Sequence, residues 1–226
     1  MLWLALASWF AASPAPPPAP DRWLTDRVGL ISPAARERLD LRLEGFERAT
    51  GHQLLVWIDQ TTGGEPIEVF AERAFKAWKP GRSGLDDGVV LFVFAGDRTV
   101  RLEVGYGLEP VLTDAVCSRI LSERVAPLLQ TGDAEGALTE GVEAVITALG
   151  GAPAPPPVEP RELTTAEWVA LGIALVGFLV LLIVRPDLAL RLISVLLFLR
   201  RGSGRDRSGF MGRGGRSGGG GASHRW

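Results

Sequence analysis

Apolar residues follow two periods between residues 28 and 150, and the switches between them mark out a run of elements. Ser32-Pro33 reads as an N-cap followed by proline at the first helical position. Leu39, Leu43 and Phe46 continue at helical spacing, and Thr50-Gly51 closes the helix. "QLLVWID" (53–59) is a compact apolar run and predicts a buried strand. After "QTTGGEP", residues Ile67, Phe70, Ala74, Phe75 and Trp78 form a second helical stripe, which Pro80-Gly81 ends. "GVVLFVF" (88–94) is apolar at consecutive positions, the pattern of a central strand covered on both faces. "AGDR" turns the chain, and "TVRLEV" (99–104) then alternates, with Val100, Leu102 and Val104 on one face and Arg101 and Glu103 on the other. The two runs predict a β-hairpin. Thr113 can cap a helix running to about residue 130, and Asp133 a last helix through Leu138, Val142, Val145, Ile146 and Leu149. Helices separated by strands predict an α/β domain, a three-layer α/β/α sandwich with a mixed sheet.

The flanks differ in kind. Pro-rich stretches at 13–20 and 151–160 read as semi-rigid spacers that isolate a domain at 21–150. Residues 1–20 read as a signal segment with its linker, and residues 151–167 as the second linker. The 226-residue chain has a formal net charge of -2, which hides a polarity along its length. Residues 21–150 carry 21 Asp/Glu against 14 Lys/Arg, whereas residues 200–226 carry seven Arg against one Asp. An acidic domain and a basic tail suggest different partners for each. The tail, rich in Gly and Arg with few apolar residues, is expected to be disordered.

"MLWLALASWFAAS" resembles a secretory signal, although it lacks a basic n-region. Trp168–Val184 is uncharged over 17 positions, at the short end of the roughly 17–25 residues that span a bilayer. A second apolar run at 188–199 follows Arg185-Pro186-Asp187 and contains Arg191, so 168–199 reads as one transmembrane and juxtamembrane segment. Arginines downstream tend to remain cytoplasmic, which favours a single pass with the acidic domain extracytoplasmic (periplasmic or extracellular) and the tail inside.

The hairpin concentrates acids. Its first strand begins after Asp86-Asp87 and its second ends before Gly105-Tyr106-Gly107, so antiparallel pairing brings these ends together. Asp86, Asp87, Glu103, Glu109 and Asp114 could converge there, with Gly88 and Gly105 permitting close backbone approach. Such a cluster suits a hard cation, Ca²⁺ or Mg²⁺. The same residues also read as ordinary turn and cap chemistry, with Asp114 as a helix cap and Glu103 facing solvent.

Other chemistry is sparse. His52 is the only histidine inside the domain and reads as structural; His224 falls in the tail; the single Cys117 reads as a small core residue and rules out an intramolecular disulfide. No phosphate-binding loop, dinucleotide fingerprint or zinc-protease motif occurs. The Arg-Gly tail reads as a solvated segment beside a membrane, and no nucleic-acid partner is expected.

"VGLIS" (28–32), "TGHQLLVWI" (50–58), "AERAFKAWKPGRSGLDDGVVLFV" (71–93), "RTVRLEVGYGLEPVLTD" (98–114) and the closing "GGGGASHRW" together resemble the TPM-domain family of YgcG-like membrane-anchored proteins. The resemblance covers nearly all of 21–150. It implies an α/β/α sandwich in a lumen or periplasm-like compartment. It also implies links to divalent-cation binding, to acid-phosphatase activity and to assembly or repair of membrane complexes. The positions matching a cation site are Asp86, Asp87, Glu103 and Asp114, with Glu109 beside them. One departure is Asp86-Asp87-Gly88, where the family usually has Asp-Asn-Gly. Two functions follow as expectations: an accessory or interaction protein with a protein partner in the envelope, or a divalent-metal-dependent phosphatase.

Overall fold

Ser32 begins the first helix as expected. Its hydroxyl accepts from the Ala35 N–H at 3.2 Å, and α1 runs Pro33–Thr50 until Gly51 turns left-handed at φ 82°. In this computed structural model, residues 17–152, 172 and 212–226 are described. The chain divides into one unit of Met1–Ala154 with Gly209–Trp226, and a second of Pro155–Ser208. All described residues except Gly172 belong to the first unit. The signal expected at 1–20 falls largely, and the membrane segment expected at 168–199 almost wholly, outside the described residues. Among the described residues no helix is long and apolar enough to cross a membrane.

A five-stranded mixed sheet organises this unit. Its strands are β1 (Leu24–Asp26), β2 (Gln53–Asp59), β3 (Gly88–Phe94), β4 (Thr99–Val104) and β5 (Gly221–Arg225), in that spatial order. β1, β2 and β3 run parallel, while β4 is antiparallel to both β3 and β5. α1 connects the first parallel pair and α2 (Ile67–Trp78) the second. All seven residues of β3 are buried, as its unbroken apolar run requires.

The helical stripe of α2 supplies Phe70 and Trp78 to one face of the sheet. Phe70 meets Phe94 edge-on with ring centroids 5.0 Å apart, and Trp78 lies 4.8 Å from Trp57. Burying each of these rings contributes on the order of 1.5–3 kcal/mol, and each pair about 0.5–1.5 kcal/mol more. Trp57, Phe92 and Arg101 lie on adjacent strands in one register row, so Arg101 and Glu103 project toward the α2 face. The alternation in "TVRLEV" therefore has no solvent side: Arg101 and Glu103 are both buried.

The helix capped by Thr113 is interrupted. α3 (Asp114–Arg119) passes into a π-helical stretch, Ile120–Val125, before α4 (Ala126–Gln130). α5 (Ala134–Ala148) is capped by Asp133, which accepts from the Gly136 N–H at 2.8 Å.

Two strands go beyond the sequence expectation. β1 has only three residues, too few for a period to register. β5 corrects the expectation of disorder for residues 212–226, which fold back onto the domain and extend the sheet; residues 200–211 of the expected tail lie outside the described residues. His224, expected in that disordered segment, sits in β5 opposite Val100. Apolar content is low there, but backbone pairing and close approach replace side-chain burial.

Candidate functional site

The α2–β3 connection builds one wall of the site. Gly81 (φ 88°) donates to the Gln53 side-chain oxygen at 2.6 Å, which fixes the turn beside β2. Asp87 then accepts from the Arg82 N–H at 2.7 Å and from Arg82 Nε at 2.8 Å. His52 Nδ1 stands 3.1 Å from the same carboxylate. Burial alone would raise the Asp87 carboxyl, but the Arg82 hydrogen bonds and charge, joined by His52, hold it below the usual carboxylate range.

Asp86 adopts φ 49°, a left-handed conformation that Asp tolerates better than most residues. Its carbonyl accepts from the Gly107 N–H at 3.1 Å, and Gly105 N–H reaches the Gly88 carbonyl at 2.8 Å. Any side chain at Gly105 would overlap the Asp86 carbonyl, and one at Gly88 would overlap the Pro80 carbonyl. The close approach expected at these two glycines is therefore present, and the hairpin end does gather acids.

What the acids contact was not visible in the sequence. Glu103, fully buried, accepts from Arg101 Nε at 2.9 Å and from the Ser217 hydroxyl at 2.6 Å. Burial raises its carboxyl, while Ser217 and Arg101 pull the other way without cancelling the rise. Its expected alternative role as a solvent-facing residue is thus corrected. Asp86 accepts from the Arg216 backbone N–H at 3.0 Å, with the Arg216 guanidinium 3.6 Å away. Asp114 accepts from the Gly221 N–H at 2.8 Å; the capping side chain of α3 is Thr113, one residue earlier. Arg101 also donates to Ser223 Oγ at 2.9 Å and to the Gly219 carbonyl at 3.0 Å, and Arg213 lies 3.5 Å from Glu47. The basic tail and the acidic domain were expected to serve different partners, but within 212–226 they serve each other.

The glycines of the tail explain how it fits. A side chain at Gly215 would overlap the Pro80 carbonyl, and one at Gly221 (φ 127°) the Leu102 carbonyl. The composition that reads as disorder is here a requirement for backbone-to-backbone contact.

Three of the five candidate metal ligands, Asp86, Asp87 and Glu103, are thus engaged by arginine. Glu109 and Asp114 line a cavity of about 540 Å³ together with Tyr106, Thr113 and Gly218–Gly220. Ca²⁺ takes about 6–8 oxygen ligands and Mg²⁺ about six. Among the described residues, no three His, Cys, Asp or Glu side chains are placed to share an ion.

Cys117 is buried, its thiol 3.7 Å from the Leu112 carbonyl, and burial with the nearby Asp114 charge pushes it up to about 11. It behaves as the core residue its neighbours suggested. The residues that sequence reasoning missed are the partners: Arg82, Arg101, Arg216, Ser217 and Ser223. For Ser217 and Ser223 the available signal was the polar alternation at the end of "SGGGGASHRW", which its glycines obscure.

Residues 24–148 match the family model for the TPM domain. Among solved structures, the N-terminal domain of a protein from P. gingivalis, solved by solution NMR, is 32% identical, with a TM-score of 0.52. That match covers 57% of this chain and 82% of that one. The BA42 protein of the psychrophilic bacterium Bizionia argentinensis is 18% identical over 53% of this chain and 81% of that one, at a TM-score of 0.48. The N-terminal domain of a Corynebacterium glutamicum protein is 15% identical over 71% and 96%, at a TM-score of 0.46. No curated protein matches the chain.

Proposed function

The chain belongs to the TPM-domain family, and on that premise we propose that it is a membrane-anchored accessory protein. Its domain faces an extracytoplasmic compartment and aids assembly or maintenance of envelope or membrane proteins. The membrane part of this reading rests on the uncharged run Trp168–Val184 and the apolar N-terminal segment. The observation that carries the accessory role is the closure of the acidic end by Arg82, Arg101, Arg216 and Ser217. Carboxylates held this way brace the loops of this end rather than stand ready to transfer protons. Leu85, Tyr106 and Val111 lie exposed on the loops of the same end and supply apolar contact for a protein partner. The full burial of β3 supports a three-layer sandwich as the scaffold.

A divalent cation, on this reading, is a local and weak ligand of Glu109 and Asp114 at the cavity mouth. The phosphatase reading is less well supported, because Asp86, Asp87 and Glu103 are committed to arginines and Cys117 is buried with a raised pKa.

A photo-crosslinking residue at position 106 in native membranes tests the accessory role, with position 140 on exposed α5 surface as control. A discrete adduct to a membrane protein from 106 and none from 140 is expected. Equal, diffuse labelling from both positions would rule out this end as the contact surface. Calorimetric titration with Ca²⁺ and Mg²⁺ tests the ion: Glu109→Gln should weaken binding and Asp87→Asn should not.

A further inference from the structure

We infer that residues 17–152 and 212–226 lie on the same side of any membrane the chain enters, so that the number of crossings between residues 152 and 212 is even. The inference rests on the membrane-anchored reading above and goes beyond it by fixing the path of the chain. It starts from β4 and β5, which pair from Thr99↔Arg225 to Glu103↔Gly221. Hydrogen bonds hold this register at both ends: Val104 N–H to the Gly220 carbonyl, and Trp226 N–H to the Arg98 carbonyl, each at 3.0 Å.

Side chains fix the register too. The Ser217 hydroxyl donates to buried Glu103, and buried Arg101 donates to Ser223 and to the Gly219 carbonyl. Gly215 and Gly221 approach so closely that no other residue fits without displacing backbone. A hydrocarbon core about 30 Å thick cannot stand between such partners. An odd number of crossings between residues 152 and 212 is therefore incompatible with the folded sheet.

The sequence between them agrees with a return. Two apolar runs, 17 and 12 residues long, are separated by Arg185-Pro186-Asp187, which is poorly suited to the middle of one continuous span. The second run is shorter than the roughly 17 residues a full crossing needs.

Tail charge had favoured a single pass. Among the tail arginines, Arg213 lies beside Glu47 and Arg216 beside Asp86. These two arginines are held by the acidic domain, on the domain's own side.

Single cysteines at Glu140→Cys, on the domain, and Ser208→Cys, ahead of the returning strand, provide the test in the full chain with Cys117→Ala. Intact cells or spheroplasts are treated with a membrane-impermeant maleimide before and after permeabilisation. Both reporters should behave alike, either labelled from outside or labelled only after permeabilisation. One reporter labelled from outside and the other only after permeabilisation would overturn the inference. Carbonate extraction separates this from failure of the membrane reading. A chain released into the supernatant is not an integral membrane protein, whatever the labelling pattern. An intramolecular disulfide in Thr99→Cys/Arg225→Cys, with Cys117→Ala, shows that the strand is paired in the same molecules; its absence under oxidising conditions counts against the inference.

Discussion

Replacing Ser217 by alanine removes a hydroxyl that donates at 2.6 Å to a carboxylate with no exposed surface. Solvent cannot substitute for it, so Glu103 keeps only its arginine partner. Hydrogen bonds to charged groups contribute about 1.5–3 kcal/mol, and the loss falls on the docking of 212–226 rather than on the core beneath α2. The readout is amide hydrogen exchange in β5, which proceeds through local opening of the segment. At roughly tenfold per 1.4 kcal/mol, the β5 amides paired with β4 should exchange on the order of 10- to 100-fold faster, while those of β3 hold their rates. The sign of the pH effect is fixed by Glu103, whose folded pKa lies above its ordinary value because burial outweighs Ser217 and Arg101. A group raised in this way favours folding below its unfolded pKa, and that contribution disappears as pH rises through the folded value. Ser217 stabilises the charged form, so Ser217→Ala should cost most above the folded pKa of Glu103 and less as pH falls through it. Unchanged β5 exchange at neutral pH would refute the contact.

Three further outcomes follow from the same geometry. Gly221→Ala, whose side chain would overlap the Leu102 carbonyl at φ 127°, should release β5 from the sheet. Gly220→Ala meets only the flexible Glu109 side chain at 2.6 Å and should leave exchange nearly unchanged. Arg82→Met should destabilise the domain in denaturant unfolding by about 1–3 kcal/mol at neutral pH. Asp87 contributes stability above its unfolded pKa and loses it as pH falls through its depressed folded value. The gap between Arg82→Met and wild type should therefore shrink on acidification, and a constant gap would argue against the pairing. Cys117, buried with its thiol raised to about 11, should resist alkylation at neutral pH until the domain unfolds.

Local signals were legible where a period could run its length. β2, β3, β4, α1, α2 and α5 all form where apolar spacing and caps such as Ser32 and Asp133 place them. The interruption Ile120–Val125 went unread, since its apolar residues Ile120, Leu121 and Val125 are too few to separate an i→i+5 spacing from an i→i+4 one. β5 was hidden for a different reason: its partner lies more than 100 residues away, and glycines that permit close approach resemble those of a disordered linker. The site was half legible. Antiparallel pairing and Gly88 and Gly105 were enough to bring the acids together. Their neutralisation by Arg82, Arg101 and Arg216 depends on backbone turns and a long-range return that spacing does not encode. Composition suggested a cation at these acids, and the fold sets an arginine against three of them.

The central claim is that residues 212–226 complete the sheet and close its acidic end. Proton–proton contacts across β4 and β5 in the full chain test it most directly, read by NMR at Val100–His224 and Leu102–Ala222, two pairs set by the register. Cross-strand contacts at both pairs, with slow exchange of the intervening amides, are the predicted result. Random-coil shifts for Gly221–Arg225 and no contact to β4 would contradict it.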